Sequence, residues 1–262
     1  MRARKKFGQH FLEPAWADKL VEAIAPQPQD RFLEIGPGPG ALTLRLAPLI
    51  HHLTAVEIDR DIVALLRPRL PPNVAIVEAD FLDFDLLSFT RGGDVRVAGN
   101  LPYNASSPIL FKLLAAHRAH GGLTDATVML QREVTDRLQA TPGTREYGVL
   151  AILTQLHADV HRVLTLPPGA FRPAPKVHSA VVRLLFRPPT VSFADYSGLE
   201  AMVRSMFMQR RKTLANALRP FAASRGWTPA AALAAAGVDP RRRPETLQLV
   251  ELARLADVFV SN

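Results

Sequence analysis

Two clusters of residues have types and spacings suited to chemistry. The first is Asn100-Leu101-Pro102-Tyr103, directly after a short apolar run from Val95 to Ala98. The Asn100 carboxamide oxygen and a backbone carbonyl beside Pro102 can each accept one proton of an aromatic amine. That draws the amine nitrogen towards a tetrahedral shape and frees its lone pair for attack. Pro102 stiffens the loop and removes a competing donor. Tyr103 can stack on the ring that bears the amine, which must leave any base stack to reach it. Such a site suits transfer of an already activated carbon, where alignment matters more than a strong base.

The second cluster is Glu34-Ile35-Gly36-Pro37-Gly38-Pro39-Gly40, which follows another apolar run and opens a helical pattern. Glycine lets the backbone turn tightly and approach a ligand. A dinucleotide fingerprint spaces its glycines by two and then three. Here Gly36, Gly38 and Gly40 are spaced two and two. The turn therefore suits a nucleoside without a pyrophosphate, such as S-adenosylmethionine, whose sulfonium methyl is already activated. Glu57, at the end of the next apolar run, can accept both ribose hydroxyl protons. Asp80 follows a third run and can hold an adenine amino group. Acids at successive strand ends point to one ligand, because ligands bind beyond the carboxyl ends of parallel strands.

The elements that position these residues alternate. Strand patterns cover Phe32 to Ile35, His52 to Ile58, Val74 to Val77, Val95 to Ala98, Ala126 to Leu130, His157 to Leu166 and Ser179 to Phe186. Helical patterns lie at Ala41 to Leu46, Asp61 to Leu70, Pro108 to Ala116 and Glu146 to Leu156. Strands separated by helices imply a doubly wound, mostly parallel sheet. The last two strands flank the proline-rich stretch Pro167 to Pro175 and suggest a hairpin at the sheet edge. Arg187-Pro188-Pro189 breaks the alternation and reads as a linker. Beyond it, Tyr196 to Met208, Arg211 to Arg225, Pro229 to Ala236 and Pro244 to Val260 have helical periodicity.

Composition narrows the partners. The chain of 262 residues carries a net charge of +8, which favours a polyanion. It contains no cysteine, which excludes disulfides, thiolate nucleophiles and cysteine-ligated zinc. No apolar run reaches the roughly 20 residues of a membrane span, and Met1 to His10 lacks the apolar core of a secretory signal. A cytoplasmic location is the expectation. His51, His52, His157 and His161 have no converging acids, so no metal site is expected.

With these residues assembled, the sequence resembles the ribosomal RNA adenine dimethyltransferases, specifically the bacterial small-subunit (16S) type, over essentially the whole chain. Lys6-Phe7-Gly8-Gln9-His10-Phe11-Leu12 is similar to the family's cofactor-lid motif, and the run from Asn100 to Leu110 to its catalytic loop. Phe171-Arg172-Pro173-Ala174-Pro175-Lys176-Val177 matches its Phe-x-Pro-x-Pro-Lys-Val element, and Phe207 to Leu214 the opening of its C-terminal domain. Ala105, Ala174 and His178 depart from the usual isoleucine, proline and aspartate.

The resemblance implies a Rossmann-like S-adenosylmethionine-dependent methyltransferase domain, residues 1–187, with a small all-helical RNA-binding domain, residues 188–262. It implies that His10, Leu12, Gly36, Gly38, Glu57, Asp80 and Asn100 contact S-adenosylmethionine. Asn100 and the Leu101 carbonyl would hold the target amine beside Pro102, with Tyr103 and Phe171 sandwiching the adenine. The implied product is N6,N6-dimethyladenosine at two adjacent positions near the 3′ end of 16S rRNA. The implied substrate is the small subunit or its assembly precursor, with the chain acting as a monomer and without a membrane.

Arg210, Arg211 and Lys212 are expected to meet phosphate, with Arg241 to Arg243 and the basic N-terminus as further clusters. Three alternatives compete. A large-subunit adenine methyltransferase of the macrolide-resistance type usually departs from the loop seen here. A DNA adenine methyltransferase typically has an acid where Asn100 stands. A non-catalytic small-subunit assembly factor would not need the intact glycine turn.

Overall fold

The computed structural model describes residues 10–260. They fall into two compact units. One runs to Thr135 and resumes over Ala158–Arg187. The other contains Asp136–His157 and everything from Pro188 onward.

The first unit is built on a seven-stranded sheet. Its strands are β1 (Arg31–Ile35), β2 (His52–Glu57), β3 (Val74–Glu78), β4 (Val95–Asn100), β5 (Leu123–Gln131), β6 (Ala158–Leu166) and β7 (Ser179–Phe186). Their spatial order is β3-β2-β1-β4-β5-β7-β6. The first five are mutually parallel. β7 runs antiparallel to both β5 and β6, which leaves β6 on the edge as one arm of the expected hairpin. Central strands are buried on both faces, which explains why their sequences read as continuous apolar runs. Edge strand β6 has exposed and buried positions intermixed. This is a doubly wound α/β fold with a mixed, mostly parallel sheet.

The parallel order reverses between β1 and β4, so the crevice beyond their carboxyl ends is where such sheets bind ligands. At Gly99 the two strands approach closely: a Cβ there would lie 2.5 Å from the Ile35 carbonyl oxygen. A helix at Pro14–Ile24, outside the sequence expectation, buries Ala17, Leu20 and Ile24 against the sheet core. Pro14 occupies its first turn, where a missing N–H costs nothing.

In the second unit the described residues from Pro188 onward contain helices and turns and no strand. Residues 136–157 group with them, whereas the sequence assigned them to the sheet domain. The cause is a set of specific contacts. Tyr147 is fully buried and its hydroxyl donates to the Leu247 carbonyl at 3.1 Å. The Gly143 amide donates to the Glu245 carbonyl at 2.7 Å.

Two of the expected long helices are interrupted. The stretch 211–225 becomes Leu214–Ala217 and Arg219–Ser224, because Pro220 cannot supply the N–H that would continue the first helix. The stretch 244–260 opens as a single 3-10 turn. It then restarts at Leu249 under a capping box in which Glu251 accepts from the Gln248 amide at 2.9 Å.

Candidate active site

Gly36 leaves β1 and Gly38 begins the turn, both with positive φ (67° and 55°) that glycine adopts without strain. The Gly36 amide donates to the Val56 carbonyl at 2.9 Å, tying the turn to β2. Glu57 ends β2 and is buried. Its two carboxylate oxygens divide the neighbouring amides: Oε2 accepts from Gly38 at 3.1 Å and Oε1 from Asp59 at 2.9 Å. Burial pushes the Glu57 carboxyl up from its ordinary range, while the Asp59 and Gly38 amides pull it down. Each oxygen keeps lone-pair capacity for another donor.

Asp80, just past β3, folds its loop around itself. Its Oδ1 accepts from the Leu82 amide at 2.8 Å, and its carbonyl accepts from the Asp83 and Phe84 amides, each at 3.0 Å. Asn100 ends β4. Its Nδ2 donates to the His10 carbonyl at 2.8 Å. A carbonyl can only accept, so this bond fixes the amide's orientation and leaves Oδ1 as the group able to receive protons from a substrate. The Leu101 amide donates to the Met129 carbonyl of β5 at 3.2 Å, which anchors the loop that follows.

One cavity brings these groups together. Gly36, Gly38, Glu57, Asp80, Asn100, Leu101, Pro102 and Tyr103 all line it, as does His10. Tyr103 is held at both ends. Its hydroxyl is 2.8 Å from Ser179 Oγ, and its ring stacks on His10 with centroids 5.5 Å apart. Partial burial raises the Tyr103 phenol above its ordinary pKa, so the hydroxyl remains protonated at neutral pH. The His10 Nδ1 donates to the Pro173 carbonyl at 2.7 Å.

Two residues named from the sequence lie elsewhere. Leu12 and Phe171 pair across a short antiparallel ribbon. Leu12 packs against the apolar core and Phe171, 2% exposed, lies within it. Neither lines the cavity. Side chains alternate along a strand, and it is the adjacent Phe11 that faces inward. The sequence reading also missed apolar wall residues, among them Ile58, Ile62 and Phe81. Phe81 was findable from its position directly after a strand-end acid.

Of the proposed phosphate contacts, Arg211 and Lys212 are exposed. Arg210 is engaged within its own unit: it donates to the Arg145 carbonyl at 2.8 Å and pairs with Glu245 at 3.4 Å. The segment is a turn, and the helix begins only at Leu214. Arg242 is likewise structural, bonded to Glu251 at 3.0 Å and to the Thr246 carbonyl at 2.7 Å. The basic N-terminal cluster lies outside the described residues. Among the described residues no group of histidines and acids is arranged to hold a metal, and no helix is long and apolar enough to cross a membrane.

The sequence profile of the ribosomal RNA adenine dimethylases matches residues 1–253. The chain belongs to the ribosomal RNA adenine dimethylase family. Ribosomal RNA small subunit methyltransferase A of Nitrosococcus oceani is 45% identical over 259 residues, covering 97% of this chain and 95% of that protein. The protein of the same name from Aromatoleum aromaticum is 44% identical over 263 residues, covering 99% and 95%.

Among solved structures, a dimethyladenosine transferase from Plasmodium falciparum superposes with a TM-score of 0.77 at 25% identity, covering 94% of this chain and 96% of that one. The 23S rRNA methyltransferase ErmE superposes with a TM-score of 0.69 at 27% identity, covering 96% and 100%. Family membership thus agrees with the fold: a Rossmann-like methyltransferase sheet accompanied by a helical C-terminal part.

Proposed function

We propose that this chain transfers methyl groups from S-adenosylmethionine to N6 of two adjacent adenosines in the 3′-terminal hairpin loop of 16S rRNA, during small-subunit biogenesis. The convergence of the glycine turn, Glu57, Asp80 and the Asn100–Tyr103 loop on one cavity carries this reading. The methyl donor fits the residues present. A Cβ on Gly36 would meet nothing nearer than the Asn100 carbonyl at 4.0 Å, so the turn has an open flank for the donor's backbone-like portion. Glu57 offers two acceptor oxygens to vicinal hydroxyls, and Phe81 and Ile58 offer apolar walls to a purine.

When bound, S-adenosylmethionine supplies a methyl carbon on a positively charged sulfur. The protein's part is alignment and hydrogen bonding. Asn100 Oδ1 and the Leu101 carbonyl accept the two amine protons and turn the lone pair towards the methyl carbon. Tyr103 holds the adenine face, its ring fixed by Ser179. Once the carbon–nitrogen bond formed, the amine would release one proton to water, and the carbon–sulfur bonding pair would stay with the departing sulfur, leaving it neutral. Substrate RNA is met by Arg211 and Lys212 through phosphate.

The name shared by the bacterial relatives favours the small subunit over the large-subunit reading suggested by the likeness to ErmE. Asn100→Ala tests catalysis against a pure assembly role. It should lower methyl transfer by at least about 100-fold, the scale of losing a preorganised hydrogen-bonding group, while binding to small subunits persists. Transfer within a few fold of the unaltered chain would remove Asn100 from the mechanism.

A further inference from the structure

Lys112 lies on the helix Ser106–His120, which begins three residues after Tyr103. It is half-buried, and its Nζ reaches the loop that follows β3. There it donates to the Leu82 carbonyl and the Phe84 carbonyl, each at 2.6 Å. It also sits 5.5 Å from the centre of the Phe81 ring.

The loop explains why a cation belongs there. Its amides at Leu82, Asp83 and Phe84 all turn inward to Asp80. That arrangement turns carbonyls the other way, and Lys112 collects two of them, on either side of Asp83. Burial lowers the Lys112 ammonium from its ordinary pKa, while Asp83, Asp80 and Asp85 support the charged form. The same loop presents Asp80, Phe81 and Leu82 to the cavity. Lys112 thus ties the helix that follows the Asn100–Tyr103 loop to the loop that carries Asp80.

We propose that Lys112 is a positioning residue for the methyl donor: by clamping the Leu82 and Phe84 carbonyls it sets the curvature that aims Asp80 and Phe81 at the donor's adenine end. This rests on the methyl-donor reading above. Lys112 touches neither the acceptor loop's amide nor the ring of Tyr103. Its loss therefore acts on donor affinity and leaves the rate of the bound complex in place.

The test compares the unaltered chain with Lys112→Met and Lys112→Arg. S-Adenosylhomocysteine binding is measured by calorimetry, and kcat and the KM for S-adenosylmethionine are measured on unmethylated small subunits. Lys112→Met keeps the apolar stem and removes the donors; it should weaken S-adenosylhomocysteine binding and raise KM by about 10-fold, with kcat unchanged within about twofold. Lys112→Arg keeps donors for both carbonyls and should recover most of that loss. If Lys112→Met does not fold, Lys112→Gln is held to the same criteria. Unchanged affinity, a fall confined to kcat, or an arginine variant as weak as the methionine one would overturn the assignment. If the unaltered chain fails to bind S-adenosylhomocysteine, the methyl-donor reading itself falls, and this inference falls with it.

Discussion

At the amino ends of β4 and β5, Arg96 directs all five of its N–H donors to acceptors within the protein. It bonds Asp125 at 2.8 and 2.9 Å, Asp30 at 2.6 Å, and the carbonyls of Ile24 and Ala25 at 2.7 and 3.3 Å. Arg183 closes the far side of Asp125 at 2.6 Å. At the carboxyl ends of the same sheet, Glu57 is also buried, yet among the described residues it is held by backbone amides rather than by a cation. Asn100 holds one half of its amide to His10 and keeps the other for the cavity. Both ends bury polar groups at similar depth. One end is saturated and therefore structural; the other retains acceptor capacity, which suits the proposed binding site.

The comparison breaks most visibly at Arg96. Arg96→Met would strip half-buried Asp30 of its ion pair and leave buried Asp125 to Arg183, and should destabilise the protein by about 3–5 kcal/mol. Urea unfolding measures this, and a loss below about 1 kcal/mol would mean the network is ornamental. Glu34, on β1 between the two ends, gives the next effect. Burial pushes its carboxyl up to about 7 from 4.5, with Glu57 adding and Thr43 opposing. Its Oε2 has no hydrogen-bond partner among the described residues.

The fold thus favours the protonated Glu34, and its contribution is fully present below pH 4.5 and lost as pH rises through about 7. Glu34→Gln should remove a pH-dependent loss on the order of 3 kcal/mol across that window. Unfolding midpoints at pH 5 and pH 8 show whether the variant's profile is the flatter one.

Glu57→Gln sharpens the contrast from the other side. Glutamine keeps one acceptor oxygen but sets an NH2 against either the Gly38 or the Asp59 amide, so unfolding should cost about 1–2 kcal/mol less, well short of the Arg96 loss. It should weaken S-adenosylmethionine binding by about 10-fold or more, as expected for loss of charged hydrogen bonds to hydroxyls. A large stability loss with intact affinity would place Glu57 with Arg96 as a structural residue. The smallest effect belongs to the surface. Replacing Arg211 and Lys212 by glutamine should lower the salt slope of RNA binding by about 2 and leave methyl-donor affinity alone. The same change at Arg210 should instead lower stability, since Arg210 bonds Arg145 and Glu245.

The parallel core was legible in the sequence because strands buried on both faces are rich in apolar residues, as in His52–Glu57, and the antiparallel Ser179–Phe186 has the bounds its sequence pattern predicts. The strand-end acids and the glycine turn were legible because topology places all such positions on one rim. The facing of Leu12 and Phe171 was not, since a two-residue ribbon has no periodicity to read. Arg210 and Arg242 read as surface cations because the acids that hold them, Glu245 and Glu251, are distant or unmarked in sequence. Residues 136–157 read as part of the sheet domain because nothing local announces that Tyr147 bonds Leu247. Lys112 was invisible for the same reason: its partners are carbonyls, which every residue carries.

The most direct measurement is methyl transfer from labelled S-adenosylmethionine to small subunits lacking the modification, followed by nucleoside analysis of the RNA. The account predicts N6,N6-dimethyladenosine at two adjacent positions near the 3′ end of 16S rRNA. Label in large-subunit RNA or DNA, or no label in any nucleic acid, would contradict it.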